Sequence, residues 1–141
     1  MQVRNTKDLE QDLAVCAQVE QYLDENADQM LEHSLSEYLT GLLSERGLKR
    51  SAVIETSGLN DIYVHQIFSG KRTPSRDKLL CLCFGMKLTG DETQTLLKQC
   101  GYPVLYAKKR RDSVIMHALL HKRSLMQCNE ELYNIGEALL C

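Results

Sequence analysis

RSAVIETSGLNDIYVHQIFS, residues 50–69, spells a helix, a tight turn and a second helix. Val53 and Ile54 give the first helix an apolar side. Gly58 stands at the corner, where the chain must take a positive φ that glycine adopts at least cost. Leu59 follows and is placed to plug the angle between the helices. Val64 and Ile67 give the second helix a narrow apolar stripe, because residues three apart share one helical face. With that stripe turned inward, Ile62, His65, Gln66 and Ser69 point most nearly outward, flanked by Asp61 and Tyr63.

On both sides of this unit the pattern stays helical. Upstream, Ser34-Leu35-Ser36-Glu37 has capping-box spacing, and Leu35, Leu39, Leu42 and Leu43 form a stripe that ends at Gly47. Downstream, residues 69–75 (SGKRTPS) form a loop by their Gly and Pro content. Ser75 then opens a helix through Met86 with Leu79, Leu82, Cys83 and Met86 as its stripe. Thr89-Gly90-Asp91-Glu92 is another capping box, for a helix with Leu96, Leu97 and Cys100 that stops at Gly101 and Pro103. A basic run, Lys108-Lys109-Arg110-Arg111, precedes a helix with Val114, Ile115, Ala118 and Leu119. Ser124 opens a last helix with Leu125, Cys128, Leu132, Ile135 and Leu139. At the other end, Leu9, Leu13, Cys16, Ala17 and Leu23 predict one amphipathic helix over residues 6–25, broken at 26–29. No stretch alternates with period two for long enough to make a strand, so the chain is expected to be all-α. Three segments follow: an acidic helical arm (1–33), a central domain (34–100) and a C-terminal helical extension (101–141) packed on that domain or on a partner subunit.

At 141 residues and 43% hydrophobic, the chain is long enough for one domain with an appendage. The six cysteines form no C-x-x-C pair, and Cys81 and Cys83 are two apart on one helix, too divergent to share a metal. Residues 1–37 are acidic and have no signal-like apolar segment, and the apolar run 79–86 is too short to span a bilayer. These features predict reduced thiols, a cytoplasmic protein and no membrane. His117 and His121 have zinc-compatible spacing, but HALLH lacks a glutamate and a third ligand, so no metal is expected. No phosphate loop, paired carboxylates or Cys/His constellation emerges, so neither an enzyme nor a cofactor is expected. Charge is the more informative quantity. Residues 1–37 hold nine acids and two bases, and 38–141 hold fifteen bases and ten acids. Eight of those bases lie in 46–87, around the opening motif, as phosphate contact requires.

Leu48, Val53, Ser57-Gly58-Leu59, Val64, Gln66-Ile67, Gly70-Lys71-Arg72-Thr73-Pro74-Ser75 and Leu79-Leu80 together resemble the lambda-repressor-like fold. More narrowly, the chain is similar to the Xre/Cro-type family of bacterial and phage transcription regulators across residues 34–100. The resemblance implies a five-helix DNA-binding domain whose second and third helices make a helix-turn-helix, and a homodimer on paired half-sites of duplex DNA. The helix at 60–68 would lie in the major groove. There Gln66 could pair with adenine, Ile62 touch a thymine methyl, Asp61 accept from cytosine, and Asn60 reach a phosphate or base, with Tyr63, His65 and Ser69 alongside. Arg50 stands near where the family commonly has a backbone-touching Gln, and Lys71 and Arg72 lie where its loop meets phosphate. The chain also departs from the pattern. Ile54 replaces a small residue, Phe68 replaces a common Glu, and Asp61, Ile62, Tyr63 and Phe68 make the helix less basic and more apolar than a typical reader. Those departures fit an alternative, a helix-turn-helix that serves as a protein–protein interaction adaptor. The N-terminal and C-terminal helices are the candidates for contact with a second subunit or a protein partner.

Overall fold

The computed structural model describes residues 6–15, 17–25 and 34–141. Every regular element among them is an α-helix, so the described chain is all-α. It divides into two compact units, residues 1–32 and 33–141. No helix of the described residues is long and apolar enough to cross a membrane.

In the first unit, the single helix expected over 6–25 is two: α1 (Thr6–Val15) and α2 (Val19–Glu25), separated by a bend at residues 17–18. None of the residues of α1 or α2 is buried. Helices this short draw their stability mainly from packing, and here no buried stripe holds the two turns in line. The β-branched Val15 and Val19 on either side of the bend add little helix propensity. Cys16 and the break expected at 26–29 lie outside the described residues.

The second unit is built from α3 (Leu35–Arg46), α4 (Arg50–Ser57), α5 (Asp61–Phe68), α6 (Arg76–Gly85), α7 (Gly90–Gln99), α8 (Arg110–Leu120) and α9 (Leu125–Asn134). Their starts follow the chain's own capping chemistry. Ser34, Asn60, Ser75, Thr89 and Ser124 each accept a hydrogen bond from the backbone N–H three residues on, and Thr89 and Ser124 close full capping boxes with Glu92 and Gln127.

Helix α6 is the centre of this unit. Leu79 to Gly85 are all buried, so beyond its charged first turn the helix is covered on every side, not only along the stripe expected from Leu79, Leu82, Cys83 and Met86. Helix α4 crosses it on one side and α9 meets it on another, while α3 packs on α5 and α8 on α7 and α9. The α4–α6 approach is set at Gly85, where a Cβ would stand 2.9 Å from the Val53 carbonyl oxygen and 3.1 Å from the Ser57 Cβ. Glycine lets the two backbones touch there. Residues 34–100 and 101–141 share one core: Ile115, Leu119, Cys128 and Leu132 are buried in the same cluster as Leu39, Val53, Val64 and Leu80.

The connection from α7 to α8 is irregular, and its backbone is satisfied by side chains. Gln94 donates to the Leu105 carbonyl at 2.8 Å and accepts from the Leu105 N–H at 2.7 Å. Arg76 donates to the carbonyls of Pro103 (2.9 Å) and Val104 (3.1 Å). The same guanidinium forks onto both oxygens of the buried Asp112, at 3.1 and 2.9 Å. Asp112 also accepts from the Tyr106 N–H. These bonds take the place of a strand ladder.

The last helix also differs from expectation. The apolar spacing runs on to Leu139, but α9 ends at Asn134 and Gly136 takes a φ of 76°. The Glu137 N–H closes the end on the Leu132 carbonyl at 2.9 Å. Ile135 and Leu139 therefore belong to the helix cap and the tail.

Candidate nucleic-acid interface

Helices α4 and α5 are joined by a three-residue turn, 58–60. Gly58 occupies the left-handed region at φ 69°. Ser57, fully buried, stitches the corner: its hydroxyl donates to the Ile54 carbonyl at 3.0 Å and accepts from the Leu59 N–H at 3.3 Å. Leu59 is buried in the angle. Ile54 is only half-buried, because the tight side of α4 is the side that meets Gly85.

On α5, Val64, Ile67 and Phe68 face the core. Phe68 does not enlarge the apolar outer face, as its place in the sequence suggests; it is 5% exposed and belongs to the core. The Arg50 guanidinium covers its ring, 4.8 Å from the centroid, a distance suited to a cation–π contact. Opposite, Asp61, Ile62, His65 and Ser69 are exposed and Tyr63 and Gln66 half-buried. Ile62 stands out at 63% exposure.

Several of these side chains carry local structural bonds. The Asn60 side-chain oxygen caps α5 by accepting from the Tyr63 N–H at 3.2 Å. Asp61 accepts from the Ile62 N–H at 2.8 Å, placing a carboxylate at the positive end of the helix. The Ser69 hydroxyl donates back to the Gln66 carbonyl at 3.1 Å. That carbonyl also accepts from the backbone N–H groups of Lys71 (2.9 Å) and Arg72 (3.2 Å). The loop is thus folded tightly against the end of α5, and Arg72 lies 5.7 Å from the centroid of the Tyr63 ring. Arg50 lies on another edge of the helix, its Nη1 3.3 Å from His65 Nδ1. Among the described residues, Arg50, Lys71 and Arg72 have no carboxylate partner.

Two of the other cations counted around the motif, and two in the later basic run, are already engaged. Arg46 pairs with Glu92, and Arg76 with Asp112. In the basic run, Arg111 forks onto Asp77 at 2.8 and 3.0 Å, and Arg110 donates to the Ile135 carbonyl at 3.0 Å. Lys108 and Lys109 are exposed. The run is therefore half structural. Spacing offers no signal for the Arg76–Asp112 and Arg111–Asp77 pairs, whose members lie 36 and 34 residues apart.

The His117 and His121 rings lie with centroids 4.2 Å apart, both exposed, and no group of three metal-ligating side chains occurs among the described residues. Burial pushes the Cys83 thiol up to about 12 and the Cys128 thiol up to about 11, and raises Cys81 as well. No protein-family model, curated protein or solved structure matches the chain.

Proposed function

We propose that the chain is a DNA-binding transcription regulator of lambda-repressor-like fold, in which α5 enters the major groove of duplex DNA. The observation that carries this reading is the arrangement around α5. Its inner face is locked into the core, and among the described residues its outer face is open and Arg50 on one side and Lys71 and Arg72 at its end are cations without acidic partners. Such a helix has the form needed for groove entry, with cations placed to anchor phosphate. On this reading Gln66, His65 and Ile62 address base edges, and Asn60, Asp61, Tyr63 and Ser69 hold the helix end and flank the contact. A homodimer on paired half-sites is part of the proposal, since one helix of this length covers one half-site.

The 63% exposure of Ile62, beside the Asp61 carboxylate, favours a second reading in which this face docks a protein. Salt dependence separates the two. Selection on genomic duplex fragments should recover a preferred sequence, and its affinity should fall by about 0.9 log units per log unit of salt for each phosphate contact. Replacing Arg50, Lys71 and Arg72 with Ala should flatten that slope by about one unit for each phosphate no longer neutralised. Absence of any salt-sensitive duplex binding by the folded protein would sink the DNA reading and leave the docking one.

A further inference from the structure

A cleft of about 580 Å³ opens between the turn from α6 to α7 and the turn from α8 to α9. Its volume is in the range of pockets that hold small organic molecules. Phe84, Leu88, Leu119 and Leu125, all buried in the core cluster, contribute its apolar side. Lys87, Lys122 and Arg123 also line it, all exposed, and their side chains make no ion pair or hydrogen bond among the described residues. The remaining polar lining includes Thr89, Ser124 and Gln127. The Thr89 and Ser124 hydroxyls accept capping bonds, which leaves each O–H free to donate, and Gln127 uses its oxygen in the cap and keeps its amide N–H groups. Among the described residues, no carboxylate lines the cleft.

The two turns are built alike. Each helix ends with paired backbone bonds: Lys87 N–H to Phe84 and Leu88 N–H to Cys83, then Lys122 N–H to Leu119 and Arg123 N–H to Ala118. Helices that end the same way at Gly47, Gly101 and Gly136 use glycine in the left-handed position. Here that position holds Lys87 (φ 56°) and Lys122 (φ 53°), and among the described residues these are the two non-glycine residues with positive φ. Both line the same cleft.

We propose that this cleft binds a small amphipathic anion, a compact apolar body with a carboxylate or phosphate head. The body lies against Phe84, Leu88, Leu119 and Leu125, and the head meets Lys87, Lys122 and Arg123. The charge is complementary, three unpaired cations and no acid, and an apolar surface of this kind excludes a bare ion as the preferred occupant. Binding here is independent of DNA, and its readout is the protein alone.

The test is a titration of the isotope-labelled full-length protein with phenyl phosphate and with phenylacetate, followed by amide chemical shifts. Inorganic phosphate and benzyl alcohol serve as the separated head and body. Saturable shifts in residues 84–89 and 119–127, with affinity about tenfold or more above either half, support the site. Whichever head binds tighter identifies the anion. The paired change Lys87→Gly and Lys122→Gly suits the backbone and should weaken binding about tenfold, and Arg123→Gln should weaken it in the same direction. Equal binding by a half-molecule, shifts centred elsewhere, no saturation by about 10 mM, or unchanged affinity in these variants would overturn the proposal.

Discussion

Asp112 is a buried carboxylate held by the Arg76 guanidinium and the Tyr106 N–H. Burial alone would raise its carboxyl, but the Arg76 guanidinium and the Tyr106 N–H outweigh that and hold it below the usual carboxylate value. As pH falls, the unfolded chain therefore takes up this proton first. The stabilisation is complete above the unfolded value, about 3.9, and is lost as pH drops through the folded one. Asp112→Asn should lower unfolding free energy at neutral pH by about 3 kcal/mol, because it leaves Arg76 without its counter-charge. Urea titrations from pH 7 downward check this: the variant should lose part of the wild-type acid-side slope, and a slope identical to wild type would rule the pair out as its source. The thiols give a second residue-scale prediction. With Cys83 at about 12, Cys128 at about 11 and Cys81 raised, these buried sulfurs hold almost no thiolate at pH 8. An aromatic disulfide reagent should modify exposed Cys141 readily and these three only on unfolding. In the sequence, a cysteine on an apolar face was legible as a core residue; Asp112 was not, since its partners come from a helix start and a loop brought to it by folding.

At the scale of elements, caps and corners were legible and helix faces only in part. Ser34, Ser75, Thr89 and Ser124 act through the three residues that follow them, so local sequence suffices; Asn60, read there only as a base or phosphate contact, caps α5 in the same way. Which sides of a helix are covered depends on its neighbours. That is why α6 is buried all round from Leu79 on, why Phe68 turns inward, and why the arm helix, none of whose described residues is buried, divides in two. Gly85 carries the largest consequence among these contacts. Gly85→Ala would force a methyl against the Val53 carbonyl at 2.9 Å and should cost about 1–3 kcal/mol, read as a drop in melting temperature. Gly58→Ala should cost about 1 kcal/mol through its left-handed backbone alone, with no new clash nearby. A loss at Gly85 no greater than that at Gly58 would argue against a close α4–α6 approach.

For the whole molecule, the compact unit of residues 33–141 does not stop where the resemblance stops. Ile115, Leu132 and Leu140 share a core with the earlier helices, and the Arg76–Asp112 and Arg111–Asp77 pairs bind the two segments together. A fragment of residues 34–100 should lose cooperative thermal unfolding in circular dichroism, whereas 33–141 should keep it; a sharp transition in the shorter piece would show that the added helices are dispensable. The all-α class, the helix starts, the Gly58 corner and the inward stripe of α5 could be read from the order of amino acids. These rest on interactions within a few residues, which that order states directly. Which of the chain's cations remain free was settled by folding, since Arg46, Arg76, Arg110 and Arg111 are engaged by groups distant in the chain. Folding also formed the cleft, where two turns more than thirty residues apart bring Lys87 and Lys122 to the rim of one apolar surface. Charge and burial act through space, and sequence spacing records neither.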